Sequence, residues 1–292
     1  MRLVRSVVRS SLFAALIVAA VADGMVRRTL FGMKPGPVGA VWVHGWCRRI
    51  VRALRIDCRV EGSLPLPVAG GRGLAVVSNH LSYLDILVYS AITPFVMVSK
   101  TEVRGWPLLG WITAQAGTVY VERADVKGGQ TQTHAQVNAA MAKAYASGLP
   151  VLFYPEGTTT DAGEILPFRR GLFNSVLSGG LSGGVAVKTA AVMYQLREEN
   201  GGATVAEDVC SWGDMVFGPH LFGCLGLRGL AVQVRFGDEV VEGGDRFALA
   251  VNAREAVVGL FAGLELAEAC EDLFDGPVER VCALDDEVGV GC

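Results

Sequence analysis

A chain of 292 residues, 51% of them apolar and 19% charged, can bury a sizeable core as one large domain or a domain with an appendage, which excludes disorder over most of its length. The seven cysteines, Cys47, Cys58, Cys210, Cys224, Cys270, Cys282 and Cys292, are odd in number, scattered and form no C-x-x-C pair. They argue against a disulfide framework or a zinc site and fit a reducing, cytosolic compartment. The formal charge of −3 conceals an asymmetry, because residues 1–60 hold eleven Lys and Arg against Asp23 and Asp57, a net of +9, and the remainder carries −12. A basic, apolar, acid-poor end is what an anionic membrane attracts, at about 1 kcal/mol per cation near the headgroups. Nucleic acid is the weaker partner, since these arginines flank apolar segments instead of interleaving with polar and stacking residues.

The segment MRLVRSVVRSSLFAALIVAAVADGM opens with Arg2, Arg5 and Arg9 and runs apolar from Leu12 to Ala22. Ala20-Val21-Ala22 resembles the A-x-A site of a secretory signal. The run is shorter than the ~20 residues that cross a bilayer, which favours a shallow or re-entrant helix. KPGP, Lys34 to Pro37, breaks the chain, and VGAVWVHGWCRRIVRAL resumes with the apolar, aromatic and arginine residues of a second interfacial helix. Residues 1–60 read as a membrane-associated helical hairpin embedded in one leaflet, anchoring the protein at the cytoplasmic face of the cell membrane. A soluble helical cap with solvated arginines is the alternative.

From Gly73 onward, β-like runs at Leu74 to Ser78, Phe95 to Ser99, Thr118 to Val121, Val151 to Tyr154, Val185 to Val192 and Ala231 to Phe236 alternate with helical stretches. The helices are expected at Leu84 to Ala91, Gln130 to Ala146, Gly171 to Leu177 and Phe247 to Leu264. The alternation predicts an α/β domain over 61–264 with a mixed, largely buried sheet and flanking helices, in an order the sequence does not give. SGGLSGG, Ser178 to Gly184, reads as a flexible loop, and the acidic residues 265–292 as a flexible tail.

The stretch VVSNHLSYLDIL, Val76 to Leu87, delivers Asn79 and His80 from a strand end and starts a helix near Ser82. Ser82-x-x-Asp85 matches a capping box, which accounts for Asp85 without catalysis. A carboxylate on that first turn also reaches back to the imidazole, where it fixes the tautomer and stabilises an imidazolium. Both roles are open on spacing alone. GTVYVER, Gly117 to Arg123, leads a strand out to an arginine suited to a phosphate or to a surface ion pair. FYPEGTTT, Phe153 to Thr160, places Glu156 and Gly157 in a turn that presents a carboxylate and amides to a polar ligand, unless it is an ordinary Pro-Gly turn. LPFRRGLF, Leu166 to Phe173, adds Arg169 and Arg170, either to an anion site or to solvent.

With these blocks in order, the stretch from about Leu74 to Val192 resembles the phospholipid and glycerol-phosphate acyltransferase family, especially the bacterial lysophosphatidic acid acyltransferases. Asn79-His80 and Asp85 match an N-H-x-x-x-x-D block, Gly117, Tyr120 and Arg123 a G-x-x-F-x-x-R block, and Tyr154 to Thr158 an F-P-E-G-T block. VSKTEVRGWPLLGW, Val98 to Trp111, and WGDMVFGPHLF, Trp212 to Phe222, also look like stretches of bacterial members. Two departures stand out: Thr159 where the family has an arginine after E-G-T, with Arg169 or Arg170 as the substitute, and Thr189 in place of a proline in VAVKTAAV.

The resemblance implies acyl transfer from acyl-CoA or acyl carrier protein, as a donor substrate and with no bound cofactor or metal, to the free hydroxyl of a lysophospholipid, 1-acyl-glycerol-3-phosphate. His80 is then the general base and Asp85 its orienter. Arg123 clamps the acceptor phosphate, and Asn79, Gly117, Glu156, Gly157, Thr158, Arg169 and Arg170 complete the substrate site. Lyso-ornithine lipid or another lysolipid is the alternative acceptor, the missing arginine marking a lesser dependence on phosphate. A serine hydrolase built on Gly180 to Gly184, with Ser182, Asp214 and His220, has the wrong strand and helix context for a nucleophile elbow. A catalytically silent lipid-binding protein is opposed by the joint presence of His80, Asp85 and Glu156.

Overall fold

The computed structural model describes residues 1–65, 72–122, 132–178, 181, 183–196 and 200–270. Two helices lead the chain, α1 (Arg2–Leu30) and α2 (Pro37–Leu54). α1 runs past both ends of the apolar run Leu12 to Ala22, and its 29 residues extend about 44 Å at 1.5 Å per residue. It is therefore longer than the apolar run alone predicts, and by length and composition it is long and apolar enough to cross a membrane. One stripe, Ile17, Ala20, Val21 and Gly24, is buried, while Leu3, Val4, Val7, Val8, Val18 and Leu30 are exposed.

The hairpin closes on polar pairing inside an apolar contact. Asp23 accepts hydrogen bonds from the indole N–H groups of Trp42 and Trp46, each at 2.9 Å, and from Arg27. Gly24 lies under the rings of Trp42 and Trp111, which leave no room for a Cβ. At the turn, Gly36 adopts φ +119° and Pro37 starts α2, where its missing N–H costs nothing.

After the hairpin come β1 (Asp57–Glu61), β2 (Gly73–Ser78), α3 (Leu84–Ile92), β3 (Val96–Lys100), α4 (Leu109–Gln115), β4 (Val119–Val121), α5 (His134–Tyr145) and β5 (Val151–Phe153). Then follow α6 (Phe173–Leu177), β6 (Val185–Leu196), α7 (Val205–Asp208), α8 (Phe217–Leu225), β7 (Leu230–Phe236) and α9 (Arg246–Cys270). The strands form one mixed sheet in the order β1-β7-β6-β2-β5-β3-β4, parallel except where β6 meets β7. β2 lies between β5 and β6 and is buried at all six positions. Its side chains alternate, as strand geometry requires. Leu74 and Val76 join one apolar layer with Ile50, Leu54, Val88 and Tyr89 of α2 and α3, whereas Ala75 and Val77 join another with Met141, Tyr145, Phe173 and Val257 of α5, α6 and α9. Apolar residues on both faces explain why the strands read as short unbroken runs.

β1, with the alternating charges of DCRVE, carries no such run, and it pairs parallel with β7 at the sheet edge. A division at residue 60 falls inside this strand. β6 continues to Leu196, past the expected end at Val192, and α9 continues to Cys270, past Leu264. Residues 271–292 of the expected tail, and Gly179, Gly180 and Ser182 of the expected loop, lie outside the described residues.

Gly39 of α2 faces the end of α4 so closely that a Cβ would stand 1.9 Å from the carbonyl oxygen of Gln115, a backbone atom that cannot swing aside. Gly39→Val is expected to lower stability by about 2–3 kcal/mol by overpacking, read as a lower denaturation midpoint of the full-length protein in detergent. An unchanged midpoint would mean that the hairpin does not pack on α4 in solution.

Candidate active site

The parallel strands β2 and β5 end side by side, and the chain leaves them in opposite directions, so their carboxyl ends open a crevice of the kind that binds ligands in α/β sheets. β6 outlasts β2 on the other side. Where the next rung of that ladder would fall, the Asn79 side chain takes the place of backbone: its Nδ2 donates to Val192 O at 3.0 Å and its Oδ1 accepts from Val192 N at 2.9 Å. Asn79, fully buried, thus extends the sheet by one rung and aims the next residue outward.

That residue is His80. Its Nδ1 lies 2.7 Å from Asp85 Oδ2, which also accepts the backbone N–H groups of Leu81 at 2.8 Å and Ser82 at 3.1 Å. The second oxygen, Oδ1, accepts the Tyr194 hydroxyl at 2.6 Å. Only acceptor atoms face these four donors, so the hydrogen-bond network assigns the proton of the pair to Nδ1 and leaves a lone pair on Nε2. The His80 side chain is 18% exposed and Asp85 is not exposed at all, so of the pair only the imidazole is accessible from outside. Its ring lies flat on Tyr154, with centroids 4.0 Å apart and 8° between planes.

The two roles that spacing left open for Asp85 coexist. α3 begins at Leu84, where the apolar pattern puts it and two residues after the serine of the capping-box motif, and Asp85 reaches back to the Ser82 N–H as the acid of a capping box does. The other half of the box is altered, because Ser82 Oγ donates to Val209 O at 2.7 Å and accepts the Leu84 N–H. The capping geometry brings the carboxylate under the imidazole.

Glu156 closes the site from the strand alongside. Its Oε1 accepts the His80 N–H at 2.8 Å and its Oε2 the Leu166 N–H at 2.8 Å, so both oxygens are engaged by backbone. Thr160 N donates to His80 O at 3.0 Å, which holds the His80 peptide on both sides. Gly157 has φ +72°, and a Cβ there would meet the Arg169 side chain at 2.8 Å. The positive φ is what requires glycine here, since the arginine side chain can shift. Arg169 therefore packs on the Glu156-Gly157 turn, with Thr158 half-buried beside it, while Arg170 turns away and stacks on Phe247 of α9 at 4.5 Å.

Not every expected residue joins this cluster. Gly117 stands at the amino end of β4, three strands or about 14 Å from β2. There it has φ +77° and packs on the Gly36 turn, with 2.9 Å from an added Cβ to the Gly36 Cα. Its requirement for glycine is structural. Arg123 lies outside the described residues. Thr159, at the position of the family arginine, donates its hydroxyl to Ser211 O, and Thr189 lies buried in β6. His220 of the hydrolase reading is bonded instead to the Tyr83 hydroxyl at 3.0 Å and to Glu207 O at 3.2 Å. Tyr194 escaped the motif reading. Its one signal is a phenol within the apolar run AAVMYQL, which needs a partner once buried.

Burial, opposed by the amides of Leu166 and His80, pushes the Glu156 carboxyl up from 4.5 to about 7. Its folded pKa is therefore raised above its unfolded one. Between these values the folded state holds a proton that the unfolded chain releases, so this contribution to stability is full below pH 4.5 and is lost as pH rises through about 7. Glu156→Gln should flatten that part of the stability-versus-pH curve. Identical wild-type and variant slopes over this window would place the titration elsewhere.

Residues 36–192 match the acyltransferase family, a stretch that starts at the hairpin turn and ends on the β6 residue bonded to Asn79. The lyso-ornithine lipid O-acyltransferase of Brucella abortus is 33% identical over 240 residues, 77% of this chain and 88% of its own. The 1-acyl-sn-glycerol-3-phosphate acyltransferase of Neisseria gonorrhoeae is 29% identical over 209 residues, 71% of this chain and 76% of its own. The crystal structure of PlsC, the 1-acyl-sn-glycerophosphate acyltransferase of Thermotoga maritima, shares the fold, with a TM-score of 0.65 over 91% of this chain and 98% of that one at 17% identity. The His80, Asp85 and Glu156 cluster lies inside the matched stretch, and the chain belongs to the acyltransferase family.

Proposed function

We propose that this acyltransferase moves a fatty acyl group from a thioester, acyl-CoA or acyl carrier protein, to the free hydroxyl of a lysolipid, with lyso-ornithine lipid as the acceptor. The carrying observation is a partly exposed imidazole whose Nδ1 is held by a buried carboxylate and whose Nε2 has no hydrogen-bond partner among the described residues. Nε2 takes the proton of the acceptor hydroxyl as its oxygen adds to the thioester carbonyl. The tetrahedral adduct then expels the thiolate, which recovers that proton from the imidazolium. No acyl-enzyme forms, and general-base catalysis of this kind contributes about 10²- to 10⁴-fold in rate. Asp85 stabilises the transient imidazolium.

The acceptor follows from the headgroup side. Thr159 brings no charge where the family has an arginine, and its hydroxyl is used by Ser211 O. Among the described residues one guanidinium, that of Arg169, packs on the Glu156-Gly157 turn, and it matches the one carboxylate of an ornithine head; Arg123, the other cation expected at the headgroup, lies outside them. The identity to the Brucella abortus protein supports the same choice. The second reading, 1-acyl-glycerol-3-phosphate, keeps Arg169 as the phosphate contact and draws on the Neisseria gonorrhoeae relative. Both acceptors are amphiphiles, and the exposed apolar side chains of α1, with the net charge of +9 over residues 1–60, support docking on the anionic cytoplasmic leaflet.

Purified full-length enzyme in mixed micelles, given labelled acyl-CoA or acyl carrier protein, should show a higher kcat/KM with lyso-ornithine lipid than with 1-acyl-glycerol-3-phosphate. The reverse order would install the second reading. His80→Ala is expected to cut kcat by at least about 10²-fold with either acceptor; full activity in that variant would remove the general base.

Arg169→Ala should raise the acceptor KM several-fold with little change in kcat, since it removes binding remote from the reacting atoms. Arg170→Ala, which loses only its stack on Phe247, serves as the control. Equal effects from the two would refute a headgroup role for Arg169.

A further inference from the structure

Three of the four donors to Asp85 come from its own loop, and the fourth arrives from β6, 109 residues away in sequence. That donor is the Tyr194 hydroxyl. Tyr194 is 2% exposed, directly after the apolar residues 190–193 of β6 and opposite Val232 of β7. A phenylalanine would fill the same space, so what the hydroxyl adds is its bond to Oδ1, which has no other donor among the described residues.

We propose that Tyr194 is a positioning residue for acyl transfer, holding the Asp85 carboxylate in the plane that serves His80 and moderating how strongly Asp85 draws a proton onto the imidazole. The inference rests on His80 acting as the base. Negative charge drawn toward Oδ1 by the phenol is withdrawn from Oδ2, the oxygen that faces Nδ1. Loss of the phenol therefore strengthens the attraction between Asp85 and the imidazolium, and it frees the carboxylate to rotate. Burial and the Asp85 carboxylate push the ionisation of Tyr194 well above its ordinary range, so it remains a donor wherever the enzyme works. The other titratable groups that bear on Asp85 are His80, Tyr154 and Glu156 beyond β5, Tyr89 of α3 and Cys210. Tyr89 is occupied by Ser78 Oγ at 2.6 Å.

The test compares wild type, Tyr194→Phe, His80→Ala and a protein with 3-fluorotyrosine at position 194, all full-length in mixed micelles, over a pH series. Tyr194→Phe should lower kcat about tenfold, leave the acceptor KM within about twofold, and move the acid limb of kcat/KM up by about half a pH unit. Fluorotyrosine, a stronger donor of the same shape, should move that limb down, and it decides the matter should Tyr194→Phe not fold. Wild-type kcat and pH profile in the fluorinated protein and in any folded Tyr194→Phe, beside an inactive His80→Ala, would overturn the role of Tyr194 and leave the base in place. An active His80→Ala would overturn the base and Tyr194 with it.

Discussion

A carboxylate taken wholly out of water costs several kcal/mol unless its lone pairs meet donors, and Asp85 meets four. That requirement shapes the loop between β2 and α3. For the N–H groups of Leu81 and Ser82 to converge on one oxygen, the chain must fold back over the first turn of the helix, and this places the His80 ring against the same atom. The interval of five residues between His80 and Asp85 is thus the reach of a first-turn side chain to the loop that precedes it. Glu156 Oε1 and Thr160 N then hold the His80 peptide from the neighbouring strand, so the ring is set by backbone contacts on both sides.

The sheet supplies what the loop cannot. Because β6 is twelve residues long and β2 only six, two features of the site sit on the overhang. Val192 offers the rung that Asn79 completes, and two residues further Tyr194 reaches Asp85. The antiparallel β7 braces that overhang as far as Leu196. From the other side, Ser211 N donates to Leu81 O, and the segment continues into α8, just beyond which the carbonyls of Gly226 and Leu227 receive Arg5 and Arg9 of α1. Residues 211–227, hydrogen-bonded at one end to the loop after β2 and at the other to α1, connect the amino-terminal helix to that loop.

The sequence revealed strands whose two faces are both buried and helices that punctuate them, because such elements leave runs of apolar residues. β1 left none, its charges alternating at a sheet edge, and the end of β6 was missed because Tyr194 and Gln195 break the apolar run without breaking the strand. At the site, His80, Asp85 and Glu156 were legible as residue types at fixed spacings. Their partners were not, since a hydrogen bond across 109 residues has no local signature. Asn79 and Gly117 were read as substrate contacts, and their chemistry proves to be architectural: a side-chain amide in place of a strand rung, and a glycine on which the Gly36 turn rests.

This division of labour bears on how the site accommodates different acceptors. In the proposed reaction the groups that move the proton are fixed by buried contacts that any change would disturb, and the ends of β2 and β5 together with α3 and β6 contribute to them. In the same proposal the groups that face a headgroup belong to the turn at Gly157 and the segment leading to the exposed Arg169. There a threonine can replace an arginine at small cost to the fold, because its hydroxyl finds the Ser211 carbonyl and leaves no buried atom unpaired. Acceptor choice can therefore shift through residues 157–169 while the His80 and Asp85 geometry stays as it is. Relatives sharing this architecture can accordingly carry names that differ in the lipid acylated and agree in the transfer performed.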